Sequence, residues 1–90
     1  MSIEIHIHKT HRQFTDGSEV VQTRGKTVGD CIQDLISQYP GVKSALFDKK
    51  GKLINTVEIY LNMQSAYPDE LLKPVKNGDK IHIALMLAGG

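Results

Sequence analysis

Thr27-Val28-Gly29-Asp30-Cys31-Ile32-Gln33-Asp34-Leu35-Ile36-Ser37-Gln38-Tyr39-Pro40-Gly41 is the stretch that decides the fold. Val28, Cys31, Ile32, Leu35 and Ile36 recur at spacings of three and four, which puts them on one apolar stripe of a helix. The Thr27 hydroxyl is placed to accept from the backbone three residues on. Asp30 occupies that third position, as in a capping box. Gly29 falls in the first turn, where its poor helix propensity costs little. Pro40-Gly41 stops the helix after Tyr39.

Working outward, the period changes to two. Ile3-Glu4-Ile5-His6-Ile7-His8 alternates apolar and polar, as a half-buried strand does. Asp16-Gly17 is a turn, residues 9–15 read as a polar loop, and residues 19–23 return as the second arm of a hairpin. Beyond the helix, residues 42–47 suit a short second helical turn, and Asp48-Lys49-Lys50-Gly51-Lys52 a polar hairpin-like loop. Thr56-Val57-Glu58-Ile59-Tyr60-Leu61 alternates again. Residues 62–75 read as irregular, broken by Pro68 and Pro74, with Leu71 and Leu72 tucked inward in one helical turn. Asn77-Gly78-Asp79 is a turn, and Lys80-Ile81-His82-Ile83-Ala84-Leu85 the last strand. One helix following a hairpin must cover one face of a mixed sheet. The crossover rule then sets the first and last strands parallel and adjacent. The expected fold is a single α+β domain over residues 1–90, a two-layer β-grasp of four to five strands with a flexible tail at 87–90.

A ninety-residue chain buries only about 60% of its unfolded surface. That suffices for one modest core but leaves little room for an enclosed active site. Eleven Lys and Arg against ten Asp and Glu leave a formal charge of +1, unlike the clustered basic charge of a nucleic-acid binder. The single Cys31 cannot form an intramolecular disulfide. Neither a signal-peptide pattern nor an apolar run of roughly 20 residues is present. A cytoplasmic protein without nucleic-acid or membrane partners is expected.

The chain closes on Leu87-Ala88-Gly89-Gly90. Two terminal glycines neither pack nor hold a strand, and without Cβ atoms they let a narrow site reach the terminal carboxylate. A frayed chain end has the same composition. The wider pattern separates the two readings. Tyr39-Pro40-Gly41, Leu46-Phe47-Asp48, Gly51-Lys52-Leu53, a strand ending at Asn62, Asn77-Gly78-Asp79 and Ala88-Gly89-Gly90 resemble, in order and spacing, the ThiS/MoaD family of ubiquitin-like sulfur carriers, and among them the longer MoaD-like branch. The resemblance is best from Thr27 to Gly90.

That resemblance implies chemistry at Gly90, with Gly89 beside it. An adenylating enzyme activates the carboxylate with ATP, a sulfur donor displaces AMP to leave a thiocarboxylate, and a downstream biosynthetic enzyme takes the sulfur. The carrier is then a protein co-substrate rather than an enzyme, with no bound cofactor and no metal. The receiving pathway stays open between cysteine or methionine synthesis and molybdopterin synthesis. A ubiquitin-like modifier ending in an isopeptide bond and a plain β-grasp interaction module are the alternatives. Two departures from the family pattern bear on partners. Ala84-Leu85-Met86-Leu87 stands where a proline and valine are common, and Met63 follows Asn62 where glycine or an acidic residue is common.

Alternation turns Tyr60, His82, Ala84 and Met86 outward, which with Leu87 and Ala88 of the tail makes a candidate partner-binding face. It turns Ile59, Ile81, Ile83 and Leu85 toward the helix. The expected core is Ile3, Ile5, Ile7, Val28, Ile32, Leu35, Ile36, Ile59, Leu61, Ile81 and Ile83. His6, His8 and His82 share the outer face and invite a zinc reading, against which exposed strand histidines are commoner. Cys31 lies on the helix stripe and reads as core rather than as a persulfide relay. Lys49, Lys50 and Lys52 read as a solvated turn.

Overall fold

The helix stripe and the strand alternation each present one apolar face, and in the computed structural model, which describes residues 2–85, they close on each other. Strand β1 (Ile3–Ile7) pairs antiparallel with β2 (Val20–Thr23). Helix α1 (Val28–Gln38) follows, then a one-turn α2 (Val42–Leu46), β3 (Val57–Leu61), β4 (Gln64–Ser65) and β5 (Lys80–Leu85). Among the described residues the sheet has the order β2-β1-β5-β3-β4. The first and last strands lie side by side and parallel, Ile5 opposite Ile81. This is the expected β-grasp arrangement, with α1 covering one face.

Thr27 caps α1 by accepting from the Asp30 N–H at 3.1 Å. Asp30 reaches back to the Lys26 N–H at 3.2 Å, one residue further than a regular capping box. Val28, Cys31, Ile32 and Leu35 are fully buried, whereas Ile36 is only half-buried at the end of the stripe. Gly29 has a tertiary role as well as a local one. A Cβ there would stand 2.8 Å from the Leu71 carbonyl oxygen, so glycine lets the Glu70–Leu72 turn lie against the helix. The Val28 N–H donates to the Lys73 carbonyl at 2.9 Å and the Val75 N–H to the Lys26 carbonyl at 3.0 Å, which tie that crossing segment to the start of α1.

Several expectations need correction. The Lys9–Thr15 stretch is a 3-10 segment that buries His11 and Thr15, not a solvated loop. It packs against the core through Phe14. The region after Asn62 holds a fifth strand: Asn62 and Met63 form a tight turn with φ of 51° and 71°, and Gln64–Ser65 returns along β3. Leu71 packs on the core as expected, but Leu72 points to solvent at 74% exposure. Leu61 and Leu85 are half-buried. The core also takes in Val21, Cys31, Val42, Leu46, Val57, Ala66 and Val75.

Candidate functional site

The face of the sheet away from α1 is organised in rows. One row crosses all five strands: Val20, His6, His82, Tyr60 and Ser65 stand directly opposite one another in register. Ala84 and Glu58 form part of the next row toward the end of β5. Tyr60, His82 and Ala84 lie on the outer face, half-buried, as alternation required. Gly89 and Gly90, together with Met86, Leu87 and Ala88, lie outside the described residues.

The His6 and His82 rings stack with centroids 4.3 Å apart and planes 18° from parallel. Parallel register sets two like side chains over each other at adjacent-strand spacing, which is what stacking needs. His6 Nε2 lies 3.1 Å from Glu4 Oε1. Burial holds the His82 imidazole below its ordinary pKa, and neighbouring His6 and Lys80 act in the same direction. His82 Nδ1 is buried without a hydrogen-bond partner among the described residues. On the same face the Tyr60 hydroxyl donates to Glu58, which raises the tyrosine's pKa chiefly through that hydrogen bond.

The stack bears directly on the zinc reading. Imidazole lone pairs lie in the ring plane, so one ion held by both rings must sit in both planes at once. Near-parallel planes this close do not meet there. His8 is drawn elsewhere: its Nδ1 lies 2.7 Å from Thr10 Oγ1 and accepts from the Thr10 N–H. Cys31 is fully buried, and burial is the largest influence raising its pKa, with a Thr23 hydrogen bond opposing. A thiol held protonated inside a core is a poor persulfide relay.

Several residues of the motif series prove to be architectural. Asn62 accepts from the Lys80 N–H through Oδ1 at 3.0 Å and donates through Nδ2 to Asp79 Oδ1 at 3.1 Å. Asp79 also accepts from the Lys76 N–H at 2.9 Å, and the two contacts lower its pKa. The pair therefore locks the end of β3 to the start of β5. Asp48 Oδ1 accepts from the Lys50 and Lys52 backbone and shapes the lysine loop. Sequence reasoning missed Val20, Ser65 and Met63, which stand on or beside the outer face. Val20 is visible in the alternation of the second strand, but the other two belong to the Asn62–Ser65 return, in a stretch that reads as irregular.

The model of the ThiS family matches residues 5–90. The sulfur carrier protein CysO of Mycobacterium tuberculosis is 32% identical over 93 aligned positions, covering the whole of both chains. The crystal structure of the Amycolatopsis orientalis BexX/CysO complex includes a chain that superposes with a TM-score of 0.87 at 30% identity, covering 98% of this chain and 99% of that one. SAMP1 of Haloferax volcanii superposes equally well, TM-score 0.87, over the full length of both, but at 24% identity it shows the shared fold alone.

Proposed function

This chain belongs to the ThiS family, and we propose that it is a sulfur carrier whose working group is the carboxylate of Gly90. The observation that carries the reading is full-length similarity to a sulfur carrier protein, in a chain whose last residues are Ala88-Gly89-Gly90. A carboxylate is a poor electrophile. An adenylating enzyme makes it a mixed anhydride with AMP, releasing pyrophosphate from ATP. A sulfur nucleophile then attacks the acyl carbon and AMP departs with the C–O electron pair, leaving the thiocarboxylate. A biosynthetic enzyme, on a cysteine/methionine or molybdopterin type of pathway, consumes that sulfur. In this scheme the carrier supplies the acyl group and a docking surface, and ATP is bound by its partner.

The fold supports the scheme by where it ends. β5 is flanked by β1 and β3, so its position is fixed up to Leu85. Five residues of sequence follow, and fully extended they span at most about 17 Å. An enzyme acting on Gly90 must therefore sit close to the end of β5. Tyr60, His82 and Ala84 are the described residues of the outer face we assign to that contact, and Met86, Leu87 and Ala88, which follow β5 in the sequence, are assigned to it with them.

The test is mass spectrometry after incubation with a sulfur-carrier adenylating enzyme, ATP and sulfide. The intact chain should gain the mass difference between sulfur and oxygen, and deletion of Gly90 should abolish the gain without altering the melt. Ala84→Glu should slow loading in a folded protein. Sulfur gained by the truncated chain would move the site to Cys31 and sink the assignment. Lysine-linked products in place of a thiocarboxylate would establish the modifier alternative.

A further inference from the structure

Strand β4 is short for a physical reason, and its shortness opens a concavity beside β3. The Ala66 N–H still donates to the Ile59 carbonyl at 2.9 Å. Continuing that pairing would set Pro68 opposite Val57, and proline has no N–H to give. The chain therefore leaves the ladder, and a groove of about 720 Å³ opens between β3 and the Glu70–Leu72 turn. Ile54, Tyr67, Pro68, Leu71 and Leu72 give it an apolar lining. Tyr67 and Leu72 are 76% and 74% exposed, two of the four large apolar side chains that stand out among the described residues. Among the described residues, neither belongs to the core or packs against it.

Charge indicates what the groove accepts. Its charged residues are Glu58, Asp69 and Glu70 against Lys52 alone, a local acidic excess in a chain whose formal charge is +1. The ion pairs among the described residues, His6–Glu4 and Arg12–Glu19, lie toward the opposite edge of the sheet and neutralise none of these acids. Acidic residues beside an apolar lining favour an apolar side chain flanked by cations and disfavour a carboxylate. The chain's own terminus is thereby a poor occupant. Position indicates whose segment it is. Val57, in the groove wall, stands opposite Leu85, the last described residue before the tail. Whatever grips Gly90 is held within about 17 Å of Leu85, which puts this edge within that partner's reach.

We propose that the groove seats an apolar, lysine- or arginine-flanked segment of the protein that acts on Gly90, as a second contact that adjoins the outer face along Glu58 and Tyr60. The partner's role rests on the carrier reading; the groove's preference does not.

The experiment titrates the ¹⁵N-labelled full-length chain with acetyl-Lys-Leu-Lys-Phe-Lys-amide and with the same peptide carrying glutamates for lysines. The lysine peptide should give saturable amide shifts at Ile54, Tyr67, Leu71 and Leu72, and the glutamate peptide none. Tyr67→Ser with Leu72→Ser, both at exposed sites, should weaken binding about tenfold, the loss expected for truncated anchors. Asp69→Lys with Glu70→Lys should reverse the choice between peptides. Shifts confined to His6, His82 and Ala84, equal binding of both peptides, or no saturation at about millimolar peptide would each overturn the proposal. No step of the titration involves Gly90. A binding groove in a chain that never gains sulfur would sink the carrier reading alone, and a silent groove in a chain that loads would sink this proposal alone.

Discussion

Leu35→Ala tests the joint between helix and sheet, on which the placement of every outer-face residue depends. Leu35 is fully buried. With Ile7 and Ile83 of the sheet and Val42 and Leu46 of α2, it lines a residual void of only about 10 Å³, so the parent is closely packed here. Removing the isopropyl group enlarges that void between two strands bonded to each other, the capped helix α1 and the buried side chains of α2, and none of these walls can move in freely. The cost should therefore fall in the upper part of the usual leucine-truncation range, about 3–5 kcal/mol. A ninety-residue domain has about 5–13 kcal/mol in all, and each kcal/mol moves the melt of such a domain by about 4–8 °C. The variant should melt at least 10 °C or so below the parent, with a lower denaturant midpoint and an unchanged m-value. Sulfur loading should fall with it, although Gly90 is untouched. A variant melting within about 5 °C of the parent would mean that the helix does not sit on the sheet as described.

Two further outcomes are expected. Met63 holds φ at +71° with its side chain 74% exposed, so Met63→Gly relieves about 1–2 kcal/mol of left-handed backbone strain against about 0.5–1 kcal/mol of added chain entropy. The denaturation midpoint should rise, and a fall would show that the methionine packs against something. His11 has its pKa lowered, first by burial and then by His8. The unfolded chain therefore takes up the proton first, so the stability due to neutral His11 is present above the unfolded value near 6.5 and is lost as pH falls below it. His82 has the same sign. Between about pH 7.5 and about pH 5.5, above the ordinary carboxylate range, His11→Phe should lose less denaturation free energy than the parent; an equal loss would remove His11 from the account.

Most of the architecture was legible because its signals were periodic. The helix stripe from Val28 to Leu35 and the alternations through Ile3–Ile7 and Lys80–Leu85 each name a buried face, and the connection rule then leaves one arrangement of strands. The failures share a cause: a tertiary contact overrode the local signal. The sequence allows a fifth strand without placing it, because its turn is Asn62-Met63, and methionine hides a geometry that Asn-Gly would have advertised. His11 and Thr15 read as polar loop residues, yet the 3-10 segment buries both, His11 beside Val42 and Leu46 of α2 and Ile7 and Ile83 of the sheet. Leu72 was assigned inward by hydrophobicity alone, and a single helical turn can bury only one of two adjacent leucines. At the candidate site, alternation placed Tyr60, His82 and Ala84 correctly, but it carries no information on register, so the His6–His82 stack and its row-mates were out of reach.

The division of labour among the family-like residues has a consequence for partner choice. Asn62, Asp79 and Asp48 spend their hydrogen bonds on the protein's own backbone, and Leu46 and Phe47 belong to the core or pack against it. Substituting these residues threatens the fold. By contrast, Val20, His6, His82, Tyr60 and Ser65 meet in one row without completing the core, and Tyr67 and Leu72 project from the groove rim. These positions can change with little loss of stability, because surface substitutions away from caps and cavities typically cost within about 0.5 kcal/mol. A scaffold that keeps the first set and varies the second can present the same terminal glycine to different enzymes. Resemblance through the first set is therefore strong on fold and weak on pathway, and it is to the row and the groove that we assign partner choice.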